Sequence, residues 1–380
     1  MSTQATRTGA VRKIVTMQNM EDMVFLKEAI SASGGHIIKE LPLIQGYLCE
    51  FPGEGNVSLT VRGYEDKFKV EEDLEFRLCC LATLFKPFYQ PYYQQPQLPQ
   101  PKPQPFPIHS GKRVDWGLKR IGAPKVWGKL KDRRVRVGII DTGISLDHPD
   151  LQPNIKEGVS TLEGVTSFRD DYGHGTHAAG IIAACNSNGM VGINPYTDLY
   201  IVKAFDKNGN GKLSDIIEGI DWLMRRQVKV INMSFSTSDA NDSFQRVMNS
   251  AYQKGILLVA AAGNDGKDVN FPARFSSVVA VSATDNSDNI ASFSSYGPEI
   301  AFCAPGVNIN STWLKGYAVK SGTSFSAPHI AGTASALLNY YGMMPPGQIK
   351  EIMSQGAVNL TNLSAEQQGA GLVEIPRIIR

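Results

Sequence analysis

The sequence predicts an α/β protein: a doubly wound, mostly parallel sheet preceded by a small α+β unit. Three observations carry this. Short apolar runs at 135–140, 199–204, 228–233, 256–261 and 278–281 read as strands buried on both faces. Helix-patterned segments alternate with them. A Pro- and Gln-rich stretch at 86–107 separates this long pattern from a shorter one at 11–78. The expected divisions are a first unit at 1–80, a linker at 81–111 and a main domain at 112–380.

In the first unit, residues 11–17 suit a strand. Met23, Leu26, Lys27 and Ile30 lie along an amphipathic helix, stopped by Gly34-Gly35. Residues 36–39 and 47–51 read as further strands, 57–62 as a short helical turn and 68–73 as the last strand. The resulting βαββαβ order is compatible with a ferredoxin-like sheet. Alone, such a unit reads as a regulatory or ligand-binding module. The Pro-rich stretch reads as a semi-rigid spacer, with an SH3-type ligand as the other reading.

Composition narrows the function classes. The chain has 380 residues, 42% hydrophobic and 19% charged, which is ordinary globular usage. A net charge of +2 points to neither nucleic acid nor a membrane surface, and the basic run 129–136 reads as a solvated loop. No apolar run reaches the ~20 residues of a membrane span. The first residues lack the apolar core of a signal peptide, and five cysteines form no even framework. These features predict a cytoplasmic protein, with leaderless export as the other route.

In a doubly wound sheet the site lies at the carboxyl ends of the strands. Helices are expected after His174, from Ser214 as N-cap, over 242–254, and after Ser324 with Pro328 near its start. Asp141 ends an apolar strand, where it can orient a histidine shielded from water. Asp141-Thr142-Gly143 also reads as an ordinary turn, or as half of an aspartic-protease pair, although no second copy is present. His174 and His177 lie in Gly173-His174-Gly175-Thr176-His177. They lack the spacing and the glutamate of a His-Glu-x-x-His zinc site, and His177 reads as a satisfied interior histidine. Asn264 follows an apolar strand, where its amide either donates to an oxyanion or simply turns the chain. Ser324 sits at a helix N-terminus, which favours developing negative charge, yet a lone serine there is most often a cap. Asp206-Lys207-Asn208-Gly209-Asn210-Gly211 matches half of a calcium loop, but its twelfth position is Ile217, so it reads as a tight turn.

Taken together, Asp141-Thr142-Gly143, His174-Gly175-Thr176-His177, Ala262-Gly263-Asn264 and Gly322-Thr323-Ser324-Phe325-Ser326-Ala327-Pro328 resemble the subtilisin-like serine proteases, in the chain order Asp, His, Ser. The resemblance covers about residues 112–380 and implies a subtilisin-like fold and peptide-bond hydrolysis. It makes Asp141 the orienting acid, His174 the base, Ser324 the nucleophile and Asn264 the oxyanion donor, with the Ser324 N–H as second donor. It makes Ser234-Phe235-Ser236 a substrate-pairing strand, and places Ala262, Gly263 and Asn270 around the pocket for the residue before the scissile bond. No metal ligand is assigned. Calcium stays open, because loop 185–191 is short where many relatives bind it.

The first unit resembles the family's inhibitory prodomain, through Gly34-Gly35 and Val70-Glu71-Glu72-Asp73. That implies a self-inhibited zymogen whose partners are peptide or protein substrates and its own prodomain. Residues 74–79 would run along Ser234-Phe235-Ser236 and bring a bond near Cys79 or Cys80 to Ser324. Two departures stand out: Ser236 replaces a glycine, and Phe325 replaces the usual methionine. The rival readings are a non-enzymatic binding protein with a permanently plugged cleft, and an α/β-hydrolase esterase, which the missing Gly-x-Ser-x-Gly disfavours.

Overall fold

The computed structural model describes residues 10–17, 23–53, 68–81 and 114–380. The helical turn expected at 57–62 and the Pro-rich stretch at 86–107 lie outside the described residues. The first unit contains β1 (Ala10–Met17), α1 (Met23–Ala32), β2 (His36–Leu41), β3 (Gly46–Pro52) and β4 (Phe68–Glu72). These strands form one sheet in the order β2-β3-β1-β4, with β1 antiparallel to both neighbours. Successive side chains of a strand face opposite ways. Val15, Met17, Tyr47 and Cys49 therefore pack with Leu26 and Ile30 of α1, whereas Ile14 and Leu48 turn to the main domain. The sheet is buried on both faces. The next strand, β5 (Glu75–Leu78), leaves it and joins the main domain.

The main domain runs α2 (Trp116–Arg120), β6 (Val135–Asp141), β7 (Ile155–Ser160), α3 (His174–Ala183), β8 (Thr197–Lys203), β9 (Asn210–Lys212), α4 (Leu213–Arg225), β10 (Val230–Met233), β11 (Phe235–Ser236), α5 (Asp242–Gln253), β12 (Leu257–Ala261), β13 (Val278–Thr284) and β14 (Ile300–Pro305). A hairpin, β15 (Ile309–Trp313) with β16 (Gly316–Lys320), precedes α6 (Thr323–Tyr341), α7 (Pro346–Gln355), β17 (Ala357–Val358) and β18 (Leu372–Val373). Nine strands form one sheet in the order β17-β18-β14-β13-β12-β10-β6-β8-β7. All its pairings are parallel except β17 with β18. The chain winds one way from β6 to β8 and β7, and the other way from β10 to β12, β13 and β14. The switch between β6 and β10 is where such sheets carry their sites. Asp141 ends β6 and Ser234 follows β10.

Two helix starts differ from expectation. Helix α4 begins at Leu213 with Lys212 at the cap position, so Ser214 is not its N-cap. Asp73 of the first unit caps it instead, accepting from the Ser214 N–H at 2.8 Å and the Ser214 hydroxyl at 2.9 Å. Glu71 reinforces the start of α5, whose own N-cap Asn241 accepts from the Phe244 N–H, by taking the Asp242 N–H at 2.9 Å and the Ser243 N–H at 3.2 Å. Burial raises the Asp73 pKa, against the pull of the Ser214 bonds that favour its anion.

Pro328 lies inside α6 and not near its start. A proline there leaves the carbonyl four residues back without its helical donor. That carbonyl belongs to Ser324, and it accepts from the Ser234 hydroxyl at 2.8 Å. The break in the helical ladder is thus closed by a residue of the switch point. Nearly all of α6 is buried, through to Asn339.

Candidate active site

The strand ends and two helix starts bring the expected residues together. His174, the first residue of α3, directs Nδ1 at the Asp141 carboxylate, at 2.7 Å and 2.9 Å from its two oxygens. Asp141 also accepts from the Thr142 N–H at 2.7 Å. Both residues of the pair are fully buried. Gly175 permits this approach, because a Cβ there would lie 2.2 Å from the Gly143 carbonyl oxygen. Asp170 fixes the helix start: its carboxylate takes the N–H groups of Tyr172, Gly173 and Thr176 and the Thr176 hydroxyl.

Ser324 is in the first turn of α6. Its hydroxyl donates to the Ser234 carbonyl at 2.8 Å, so the structure does not bond it to His174. His174 Nε2 is buried without a hydrogen-bond partner, and so is Asn264 Nδ2. The other end of the Asn264 amide is fixed by the Thr323 N–H at 3.0 Å and the Thr323 hydroxyl at 2.8 Å. A free amide N–H on a clamped side chain is a preorganised donor.

A segment of the first unit fills the cleft. Strand β5 lies antiparallel between β11 and β9, with Leu78 opposite Phe235 and Arg77 opposite Ser236. The pairing with residues 234–236 follows expectation, whereas the partner on the other side, β9, does not appear in the sequence reading. Cys79 donates its N–H to the Ser234 carbonyl at 3.1 Å, and its own carbonyl accepts from the Ser324 N–H at 3.1 Å. Gly322 makes room: a Cβ on it would fall 2.4 Å from that Cys79 oxygen and 3.2 Å from Asn264 Nδ2. The Cys79 thiol donates to the Ser236 hydroxyl at 3.0 Å, and burial pushes its pKa up to about 12, so it stays neutral. Phe76 packs edge-on against Phe235 and Phe244, at 5.7 Å and 5.1 Å between ring centres.

The remaining candidates are also placed. Asn270 donates its N–H to the Ala262 carbonyl at 2.9 Å and hydrogen-bonds Asp265 through its side chain. Its amide lies against Gly263, where a Cβ would come within 2.7 Å of it. His177 donates Nε2–H to the carbonyls of Ile309 and Ala318 at 3.1 Å and 3.0 Å, and burial lowers its pKa to about 3. It is an interior histidine, with Nδ1 lacking a partner. In the 206–211 turn, Asp206 accepts from the N–H groups of Asn208 and Asn210. Loop 185–191 folds over Asp150, whose carboxylate takes the N–H groups of Asn188 and Met190 and the Tyr317 hydroxyl.

Sequence reasoning missed Thr142, Asp170, Thr323 and Lys203. Lys203 is a lone cation in an apolar strand, only 2% exposed. Its ammonium donates to the Thr142 carbonyl at 2.8 Å and to Asp171 at 2.6 Å, beside the Asp141 turn. A buried lysine needs such partners, so its position within the run 199–204 was a readable signal.

Residues 132–371 match the family model described as the subtilase family. The chain is 42% identical over 268 residues to the thermostable alkaline protease of Halalkalibacterium halodurans, covering 70% of this chain and 73% of that one. It is 38% identical over 270 residues to subtilisin DY of Bacillus licheniformis, covering 69% and 97%. It is 43% identical over 265 residues to the minor extracellular protease Epr of Bacillus subtilis, covering 68% and 41%. The cytoplasmic expectation is corrected by the relative that is extracellular by name, the Epr protease, which points to export. The five cysteines form no disulfide framework, as expected, but that does not fix the compartment. All five are free and four are buried, and a buried free cysteine can be kept for packing, so the count does not report the redox compartment. Among the described residues no helix is long and apolar enough to cross a membrane. By the match along its main domain and the identity to these proteases, the chain belongs to the subtilase family and is a serine endopeptidase acting on peptide or protein substrates.

Proposed function

We propose that the chain is a zymogen: an inhibitory prodomain at 1–80, a linker at 81–111 and a catalytic domain at 112–380. The observation that carries this is the Cys79 carbonyl, 3.1 Å from the Ser324 N–H, at the end of a strand delivered by the first unit. The order β2-β3-β1-β4, with α1 after β1, supports a ferredoxin-like prodomain.

Cleavage follows from the same atoms. Ser324 Oγ turns from the Ser234 carbonyl toward His174 Nε2, which takes its proton. Oγ attacks the Cys79 carbonyl carbon, and the Ser324 N–H and Asn264 Nδ2 hold the oxyanion. Asp141 accepts from His174 Nδ1–H and stabilises the imidazolium. His174 then passes the proton to the Cys80 nitrogen, the Cys79–Cys80 bond breaks, and water releases the acyl group by the same steps. In trans, a substrate strand takes the place of β5 on Ser234, Phe235 and Ser236.

A fluorophosphonate probe tests the zymogen. Intact protein should label at Ser324 slowly, and Glu71→Ala with Asp73→Ala should label about thirtyfold faster, since losing each carboxylate at a helix start costs about 1 kcal/mol and about 1.4 kcal/mol is tenfold. Full-rate labelling of the intact chain would contradict self-inhibition, and no labelling after the first unit is removed would contradict the assignment of Ser324.

The pocket yields a second expectation. Ser236 and Thr323 contact the Cys79 thiol, and Asn270 backs Gly263, so the room beyond the first side-chain atoms is small and polar. Peptides should be cut after Cys, Ser or Ala at least about tenfold faster, in kcat/KM, than after Phe. Equal rates across that series would show that these residues impose no choice.

A further inference from the structure

We propose that Phe325 is a positioning residue for His174, and that its ring favours the imidazolium that His174 becomes when Ser324 gives up its proton. The ring is fully buried. Its centre lies 5.3 Å from that of His174, tilted at 50°, and 4.4 Å from that of His177. Aromatic faces attract a cation within about 6 Å, more strongly where water is absent. An imidazolium on His174 is such a cation, and His174 is fully buried.

Phe325 cannot drift from this place. It follows Ser324 in the first turn of α6, and His177 closes the space behind it. His177 is itself locked by its two carbonyl partners and by Trp313, 6.0 Å away edge-on. The low pKa that burial gives His177 keeps it neutral, so it does not compete for the ring as a cation. The ring thus couples the nucleophile's own backbone to the electrostatics of the base.

Asp141 from β6 and His177 from α3 face His174 directly; Tyr172 and, in the intact chain, Cys80 act on Asp141, Lys320 from β16 acts on His177, and Lys203 from β8 bonds the Thr142 carbonyl. The variants below leave all of them in place. The inference rests on His174 being the base, and the test separates the two.

The experiment is the pH profile of kcat/KM for a small peptide substrate, using the activated full chain. Replacing Phe325 with trifluorophenylalanine keeps its shape and weakens the negative ring face. The apparent pKa of the acid limb should then fall by about half a unit to one unit, as should that of Phe325→Leu, with KM unchanged. Phe325→Tyr should keep the acid limb where the wild-type protein has it. An acid limb present in the wild-type protein but unmoved by the fluorinated ring would overturn this inference alone. Persistence of the activity and its acid limb in His174→Ala would instead overturn the assignment of the base.

Discussion

Ser324→Ala is expected to fold normally and to lose peptidase activity by about 10⁶-fold in kcat, the scale set by the triad of subtilisin itself. The substitution removes only the hydroxyl. The Ser324 N–H still donates to the Cys79 carbonyl, and the Ser324 carbonyl still receives the Ser234 hydroxyl that compensates for Pro328. One contact disappears, the bond from Ser324 Oγ to the Ser234 carbonyl, whose oxygen keeps the Cys79 N–H. The thermal midpoint should therefore change little while turnover collapses. His174→Ala should cost a similar factor, because a serine without a base is a poor nucleophile at neutral pH. These effects are not additive, so the double variant should be about as slow as either single one. Turnover of purified protein on a peptide substrate, beside a melting curve, checks both. Near-normal turnover in either variant would remove that residue from the proposed chemistry.

Asn264→Ala is expected to lower kcat by about 10²–10³-fold with little change in KM. The size is borrowed from an oxyanion-hole asparagine of subtilisin. The division between kcat and KM comes from this structure. Asn264 Nδ2 has no partner in the ground state, and Thr323 fixes its orientation by bonds to the other end of the amide. A donor waiting for charge stabilises the transition state more than the bound substrate. Steady-state kinetics on the activated protein decide the matter. A change confined to KM would mean that Asn264 only helps to hold the substrate.

The parts of this molecule legible in the sequence are those with local causes. The runs around 135–140 and 199–204 are strands because a two-sided burial leaves no place for polar side chains. Asp141, His174, Asn264 and Ser324 stand out because glycines and small residues crowd around each. Strand β14 was missed, since Pro298 and Pro305 bracket it and mimic a loop. The start of α4 was misread because its cap, Asp73, is 141 residues away in the chain, beyond any local rule. Pro328 defeats the local rule outright, since the donor that replaces its missing bond comes from Ser234. The resting direction of the Ser324 hydroxyl depends on a carbonyl 90 residues distant. No motif encodes that.

The central claim is that the first unit presents the bond between Cys79 and Cys80 to Ser324. Intact mass and N-terminal sequencing of the purified chain test it most directly, comparing wild type with Ser324→Ala. The wild-type protein should yield a fragment ending at Cys79 and a new N-terminus at Cys80, while Ser324→Ala stays uncut over its 380 residues. The same cut in Ser324→Ala, or an active wild-type protein cut elsewhere, would contradict the account.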